Sequence, residues 1–180
     1  MQIELRAATP GDVDAIAELW CAGWLDAHEG RVPEALLEHR SLDSFRERVP
    51  VRLDTTTVAV ADHRLAGFVM THVDEIEQLY VEREFRGTGV AACLLSHGEQ
   101  EVSERFSTAW LAVVDGNHRA RRFYERSGWH DGGPFETPAW TARGTETIAV
   151  PVRRYEKDLI HVRSRTARAD ASTVAGEWRA

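Results

Sequence analysis

The stretch Gln78-Leu79-Tyr80-Val81-Glu82-Arg83-Glu84-Phe85-Arg86-Gly87-Thr88-Gly89-Val90-Ala91-Ala92-Cys93-Leu94-Leu95 reads as a short apolar strand, a charged loop, a glycine turn and then a helix. Two glycines one residue apart, Gly87 and Gly89, directly before an apolar helix, free several backbone N–H groups to point at one spot. Together with the positive end of the helix dipole, those amides make a site for phosphate or pyrophosphate. Arg86, at the head of the turn, can add a charge-assisted contact to the same anion. The small side chain of Ala91 would let a ligand lie close to the helix.

An ordinary strand-to-helix turn also uses glycine for tightness, so the loop alone leaves that alternative open. Two better-known phosphate loops do not fit. A dinucleotide fingerprint needs glycine where Ala92 stands and an acidic ribose ligand, and a P-loop needs a following Gly-Lys-Ser/Thr.

The elements that must position this turn follow from periodicity. Ile3 to Ala7 alternates as a first strand. Thr9, Pro10 and Asp12 mark a helix start, and Val13, Ile16, Ala17, Leu19, Trp20 and Trp24 carry the helix to about Ala27. His28 to Pro33 breaks it. A second helix is expected from Glu34 to Arg48, with a break near Ser41. Thr55 to Ala61 and Leu65 to Val73 form a hairpin about Asp62-His63-Arg64, and Glu75 to Val81 is a fourth strand. A helix from about Gly89 to Ser103 follows the glycine turn. Thr108 to Val114 is a continuous apolar run, expected as a strand buried on both faces. Asn117 caps a helix through Ala120, Phe123 and Tyr124 that stops at Gly128. Trp129 to Gly133 is a short strand or bend, and Phe135 to Gly144 a loop. Glu146 to Lys157 is a last strand in which Pro151 demands an edge position or a bulge. Residues 1–160 are expected as one domain and 161–180 as a poorly ordered tail.

With 180 residues the chain has room for one domain with a substantial core. The net charge of −7 argues against nucleic acid as a partner. Arg163, Arg165, Arg168 and Arg179 against Asp170 and Glu177 give the last twenty residues +2, leaving the body at −9. An acidic body with a local basic site suits an anionic cofactor and a cationic amine. No run is long and apolar enough for a membrane span, and the N-terminus lacks the design of a secretion signal. Cys21 and Cys93 make no disulfide framework and no metal site is expected, so both read as buried small side chains in a cytoplasmic protein.

A second motif sharpens the first. Arg86, Gly89 and Ala91 match, in register, the acyl-CoA loop of the GNAT superfamily of N-acetyltransferases, written Arg/Gln-x-x-Gly-x-Gly/Ala. Asn117-His118-Arg119-Ala120-Arg121-Arg122-Phe123-Tyr124-Glu125-Arg126-Ser127-Gly128-Trp129 resembles that superfamily's Asn-x-x-Ala-x-x-Phe-Tyr-x-x-x-Gly-Phe/Trp at every specified position. One helix and one buried strand separate the two, as in the family. The resemblance covers residues 2–158 by element order and 76–129 by motif.

The resemblance implies an α/β fold (α+β, mixed sheet) of about seven strands and about four helices, with the fourth and fifth strands splayed apart. Pantetheine of acetyl-CoA would then pair with backbone groups of Leu79, Tyr80 and Val81, and pyrophosphate would rest on Gly87 to Ala91. It also implies direct acetyl transfer to an amine, with Tyr124 protonating the departing thiolate and Asn117 contacting the cofactor arm. Glu77 stands where many members carry a catalytic carboxylate. Glu75 shares its face by the two-residue period, and two carboxylates on one face raise each other's pKa. Trp20, Trp24 and His28 share one stripe of the first helix. Trp20 is expected in the core, and Trp24 and His28 with Glu75 at the acceptor pocket. The family often has proline where Arg83 stands, which leaves this loop less rigid. A small-molecule amine is the expected partner, with a protein or peptide amine, or a non-catalytic acyl-CoA sensor, as alternatives. A homodimer through the last strands is compatible with the sequence.

Overall fold

The computed structural model describes residues 1–141 and 146–159. Seven strands form one mixed sheet: β1 (Ile3–Ala7), β2 (Thr56–Ala61), β3 (Arg64–His72), β4 (Glu75–Val81), β5 (Thr108–Val114), β6 (His130–Trp140) and β7 (Thr147–Asp158). Their order is β1-β2-β3-β4-β5-β7-β6. Every neighbouring pair is antiparallel except β4 and β5, which run parallel.

Helices cover both faces because the central strands alternate between two apolar sets. Val58, Phe68, Met70 and Val152 meet α1 (Val13–His28) and α3 (Leu42–Arg48) through Ile16, Trp20 and Phe45. Ala59, Val69, Leu111 and Tyr155 meet α4 (Val90–Ser103) and α5 (His118–Arg126) through Leu94, Leu95 and Tyr124. Each fully buried Leu, Ile or Phe contributes about 1.5–3 kcal/mol. β3 is buried from Ala66 to Thr71, as a strand sandwiched between two helical layers must be.

Some expectations hold and others change. The expected break near Ser41 divides the Glu34 to Arg48 stretch into α2 (Glu34–Leu37) and α3, because Ser41 accepts the Ser44 N–H at 3.3 Å and caps a new helix. The 3-10 segment Val49–Thr55 then carries Arg52 back to the sheet. The expected loop from Phe135 is strand as far as Trp140, paired with β7 along its length. Pro134 and Pro138 are tolerated there because β6 is the outer edge of the sheet. Pro151 sits in an internal strand, but β5 stops pairing at Val114–Val152, so at Pro151 β7 has only β6 beside it. Cys93 is exposed, not buried, and Cys21 is half-buried. The tail expected over 161–180 lies outside the described residues.

Candidate active site

β4 and β5 touch at one end only. Their ladder consists of the single pair Glu75–Trp110, next to the Trp110 N–H donating to the Asp74 carbonyl at 3.0 Å. Beyond it the strands diverge. Opposite β4, Met70 pairs with Gln78 and Thr71 with Ile76, so Glu77 is the extra residue of a β-bulge. A bulge bends its strand and increases the local twist, which turns β4 away from β5. From Gln78 to Val81, β4 keeps β3 on one side and has no strand on the other, leaving a main-chain edge open inside the sheet. A cavity of about 830 Å3 occupies the gap. Glu75, Glu77, Leu79, Tyr80, Asn117 and Tyr124 line it from the sheet and α5, and Trp20, Trp24 and His28 line it from α1.

Val81 and the turn Arg86, Gly87, Thr88, Gly89, Val90 and Ala91 lie outside the cavity lining, at the end of β4. Gly87 and Gly89 have φ of +78° and +95°, conformations that favour glycine. Cys93 N donates to the Gly89 carbonyl at 3.0 Å as the first helical bond of α4, so the amides of Gly89, Val90, Ala91 and Ala92 precede it and have no helical partner. Nothing stands within 4 Å of where a Cβ on Gly87 or Gly89 would be. The cradle therefore has both the donors and the open space a pyrophosphate needs. The Arg86 guanidinium binds Asp26 of α1 at 3.0 Å, and Asp26 also takes Arg119 at 2.9 Å, which holds its carboxyl below the ordinary aspartate range.

Asn117 caps α5, accepting the Ala120 N–H at 3.2 Å. Tyr124, two turns beyond the cap, is 8% exposed and packs against Trp129 and Tyr155. Burial raises its pKa and keeps the phenol protonated. Among the described residues its hydroxyl has no hydrogen-bond partner, which leaves it available in the cavity.

The two β4 carboxylates have different surroundings. Glu77 Oε2 is held by Arg52 Nε at 2.7 Å. Glu75 is pushed up to about 7, by burial first and then by the charges of Glu77 and Asp74, against the lowering effect of Arg154 and Arg52. A carboxylate with that pKa can take a proton near neutral pH.

On α1, both tryptophans are 7% exposed and both line the cavity, so Trp20 belongs to the pocket wall as well as the core. The His28 ring stacks flat on Trp24, with centroids 4.4 Å apart. His28 Nδ1 lies 2.8 Å from the Trp24 carbonyl. A carbonyl only accepts, so Nδ1 carries the proton and Nε2 is an acceptor. Burial lowers the His28 pKa to about 4, so the ring is neutral. Gly23 admits the Tyr80 ring, because a Cβ there would penetrate it.

Sequence reading missed Arg40, Arg48, Arg52 and Trp110, all of which line the cavity. Arg40 follows Leu36 by four residues, a spacing that would have put it on the inner stripe of the expected helix. Arg52 and Trp110 left no local signal, because long-range pairing brings them in.

The sequence profile of the acetyltransferase (GNAT) family matches residues 13–129. An uncharacterised N-acetyltransferase of Archaeoglobus fulgidus is 30% identical over 135 residues, covering 68% of this chain and 89% of that protein. A GCN5-related N-acetyltransferase structure from Rhodopseudomonas palustris superposes with a TM-score of 0.67 at 18% identity, over 88% of this chain and 97% of that one. YncA of Salmonella typhimurium, a putative acetyltransferase solved with acetyl-CoA, superposes at 0.66 with 15% identity, over 93% and 99% of the two chains. The chain belongs to the GNAT family of acetyltransferases. Among its described residues no helix is long and apolar enough to cross a membrane.

Proposed function

We propose that the protein transfers an acetyl group from acetyl-CoA directly to a primary amine of a small molecule. The observation that carries this reading is the cavity between β4 and β5, which joins an open strand edge to a buried tyrosine and a carboxylate of raised pKa. In this reading the main chain of Leu79, Tyr80 and Val81 pairs with the pantetheine arm, Asn117 borders it, and Gly87 to Ala91 with Arg86 hold the pyrophosphate. The neighbour solved with acetyl-CoA supports the choice of donor.

Glu75 takes the proton that the substrate ammonium must lose before it can attack. The amine nitrogen then bonds to the thioester carbonyl carbon, the C–S bond breaks as Tyr124 gives its proton to the departing thiolate, and the proton that the nitrogen sheds in becoming an amide restores the Tyr124 phenol. A well-placed proton donor of this kind contributes on the order of 10²–10⁴ in rate. Glu77, held by Arg52, acts through Glu75 by raising its pKa. Trp24 and His28 wall the acceptor side. Trp24, buried against Phe45 of α3, and the half-buried His28 stacked on it favour an acceptor that inserts whole over a protein surface.

Thiol release from acetyl-CoA across a panel of polyamines, amino acids, aminoglycosides and short peptides tests the proposal, with Tyr124→Phe in parallel. Turnover of one small-molecule class, at least tenfold lower in the variant, is the expected result. Turnover of peptides alone would replace the small-molecule acceptor with a protein one. Acetyl-CoA binding without turnover of any amine would point to a sensing domain.

A further inference from the structure

One carboxylate bridges the elements that follow the two splayed strands. Arg86 comes after β4, and Arg119 lies in the first turn of α5, which comes after β5. Both guanidiniums converge on the same Oδ2 of Asp26, at 3.0 and 2.9 Å. Asp26 stands in the last turn of α1, where a carboxylate opposes the helix dipole, so the helix itself gains nothing from that charge. The nearby Arg31 bonds the Asp26 main-chain carbonyl at 3.2 Å.

Arg86 makes a second contact. Its Nε donates to the Val81 carbonyl at 3.4 Å, a long bond. The Glu82 N–H of the same peptide unit donates to the Ala66 carbonyl of β3 at 2.9 Å. A trans peptide points its C=O and N–H in opposite directions. The Val81 carbonyl therefore faces away from β3, on the side where β4 has no strand beside it. Arg86 covers the end of the open edge, and Asp26 ties it there to α1.

Acetyl-CoA bound as proposed above needs both groups that this contact engages: the edge carbonyl for pantetheine and the guanidinium for pyrophosphate. We infer that Asp26 sets donor selectivity, clasping Arg86 over the end of the edge until a donor offers phosphate in exchange for the carboxylate. A donor with phosphates replaces one charge-assisted contact with another and loses little. A donor with the same thioester and pantetheine arm but no phosphate must break the ion pair and gives nothing back. An ion pair open to solvent is worth up to about fivefold in an equilibrium constant.

The inference rests on the acetyl-transfer reading, and titration calorimetry with two donors separates the two. Acetyl-CoA and S-acetylpantetheine, which carries no phosphate, are titrated into the native protein, Asp26→Ala and Arg86→Ala. Affinities so measured do not depend on how much of a variant is folded, which alters only the stoichiometry. Asp26→Ala should bind acetyl-CoA about two- to fivefold more tightly, because phosphate no longer competes with a carboxylate. Arg86→Ala should split the donors, binding acetyl-CoA more weakly and acetylpantetheine more tightly, since the edge is uncovered. Weaker acetyl-CoA binding in Asp26→Ala would overturn the clasp and make Asp26 a support that aims Arg86 at phosphate. Unchanged acetyl-CoA affinity in that variant would overturn it too, as would acetylpantetheine that binds Arg86→Ala no better than the native protein. Failure of the native protein to bind acetyl-CoA would instead overturn the acetyl-transfer reading itself.

Discussion

The two halves of the cavity are built in different ways. The proposed donor half uses backbone: an unpaired stretch of β4 in the cavity and, just beyond its lining, two glycines of positive φ and the first amides of α4. The acceptor half uses side chains brought together from α1, the α2–α3 connection, the Val49–Thr55 segment and two strands. Backbone chemistry depends on local geometry and tolerates change in the surrounding side chains. Side-chain chemistry depends on tertiary convergence, so one family can keep its donor site while changing its acceptor. Tyr124 and Glu75 stand where the two halves meet.

Substitutions should separate the halves. The largest effect is expected at their junction: Tyr124→Phe should lower kcat by about 10²–10⁴ while leaving acetyl-CoA affinity near native, measured by steady-state kinetics and calorimetry. Next is Gly23→Ala, whose Cβ would enter the Tyr80 ring. Overpacking of this kind costs about 1–3 kcal/mol, or roughly 2–4 °C in Tm for each kcal/mol in a chain of this size, and calorimetric melting should register it. Its kinetic effect should fall on the KM for the amine. Gly89→Ala should act on the other half. Forcing a Cβ into a φ of +95° costs about 1–2 kcal/mol and should weaken acetyl-CoA several-fold with little change in amine KM.

The smallest effect is a shift along the pH axis. A base must be deprotonated to act, so kcat/KM should rise with pH through about 7 as Glu75 ionises. Removing the Glu77 charge in Glu77→Gln takes away a raising influence and leaves Arg52 to lower Glu75 further. The limb should therefore move to lower pH. Arg52→Gln should move it higher, because a lowering charge is lost. Comparing each variant with the native enzyme on one substrate cancels the titration of the amine itself.

What the sequence made legible follows the same division. The boundaries of β4 and β5 and the cap at Asn117 came through because alternation, continuous apolar runs and capping residues act over a few neighbouring positions. The bulge at Glu77 was invisible, since it exists only in the pairing of β4 with β3. The pair of carboxylates was found, but not the arginine that separates their chemistry, because Arg52 lies twenty-five residues before Glu77. The part of β6 from Phe135 to Trp140 was missed because prolines argue against a strand, and only the finished sheet reveals that this one is an edge. Ser41 as a helix breaker was legible because a cap is a local signal.

The central claim is that acetyl-CoA enters between β4 and β5 and anchors on the glycine turn. A titration with CoA followed by backbone amide chemical shifts tests it most directly. Saturable shifts concentrated at Leu79, Val81 and Gly87 through Ala92, with smaller ones at Asn117 and Tyr124, are the predicted result. Saturable binding that leaves those amides unmoved, or no binding at millimolar CoA, would contradict it.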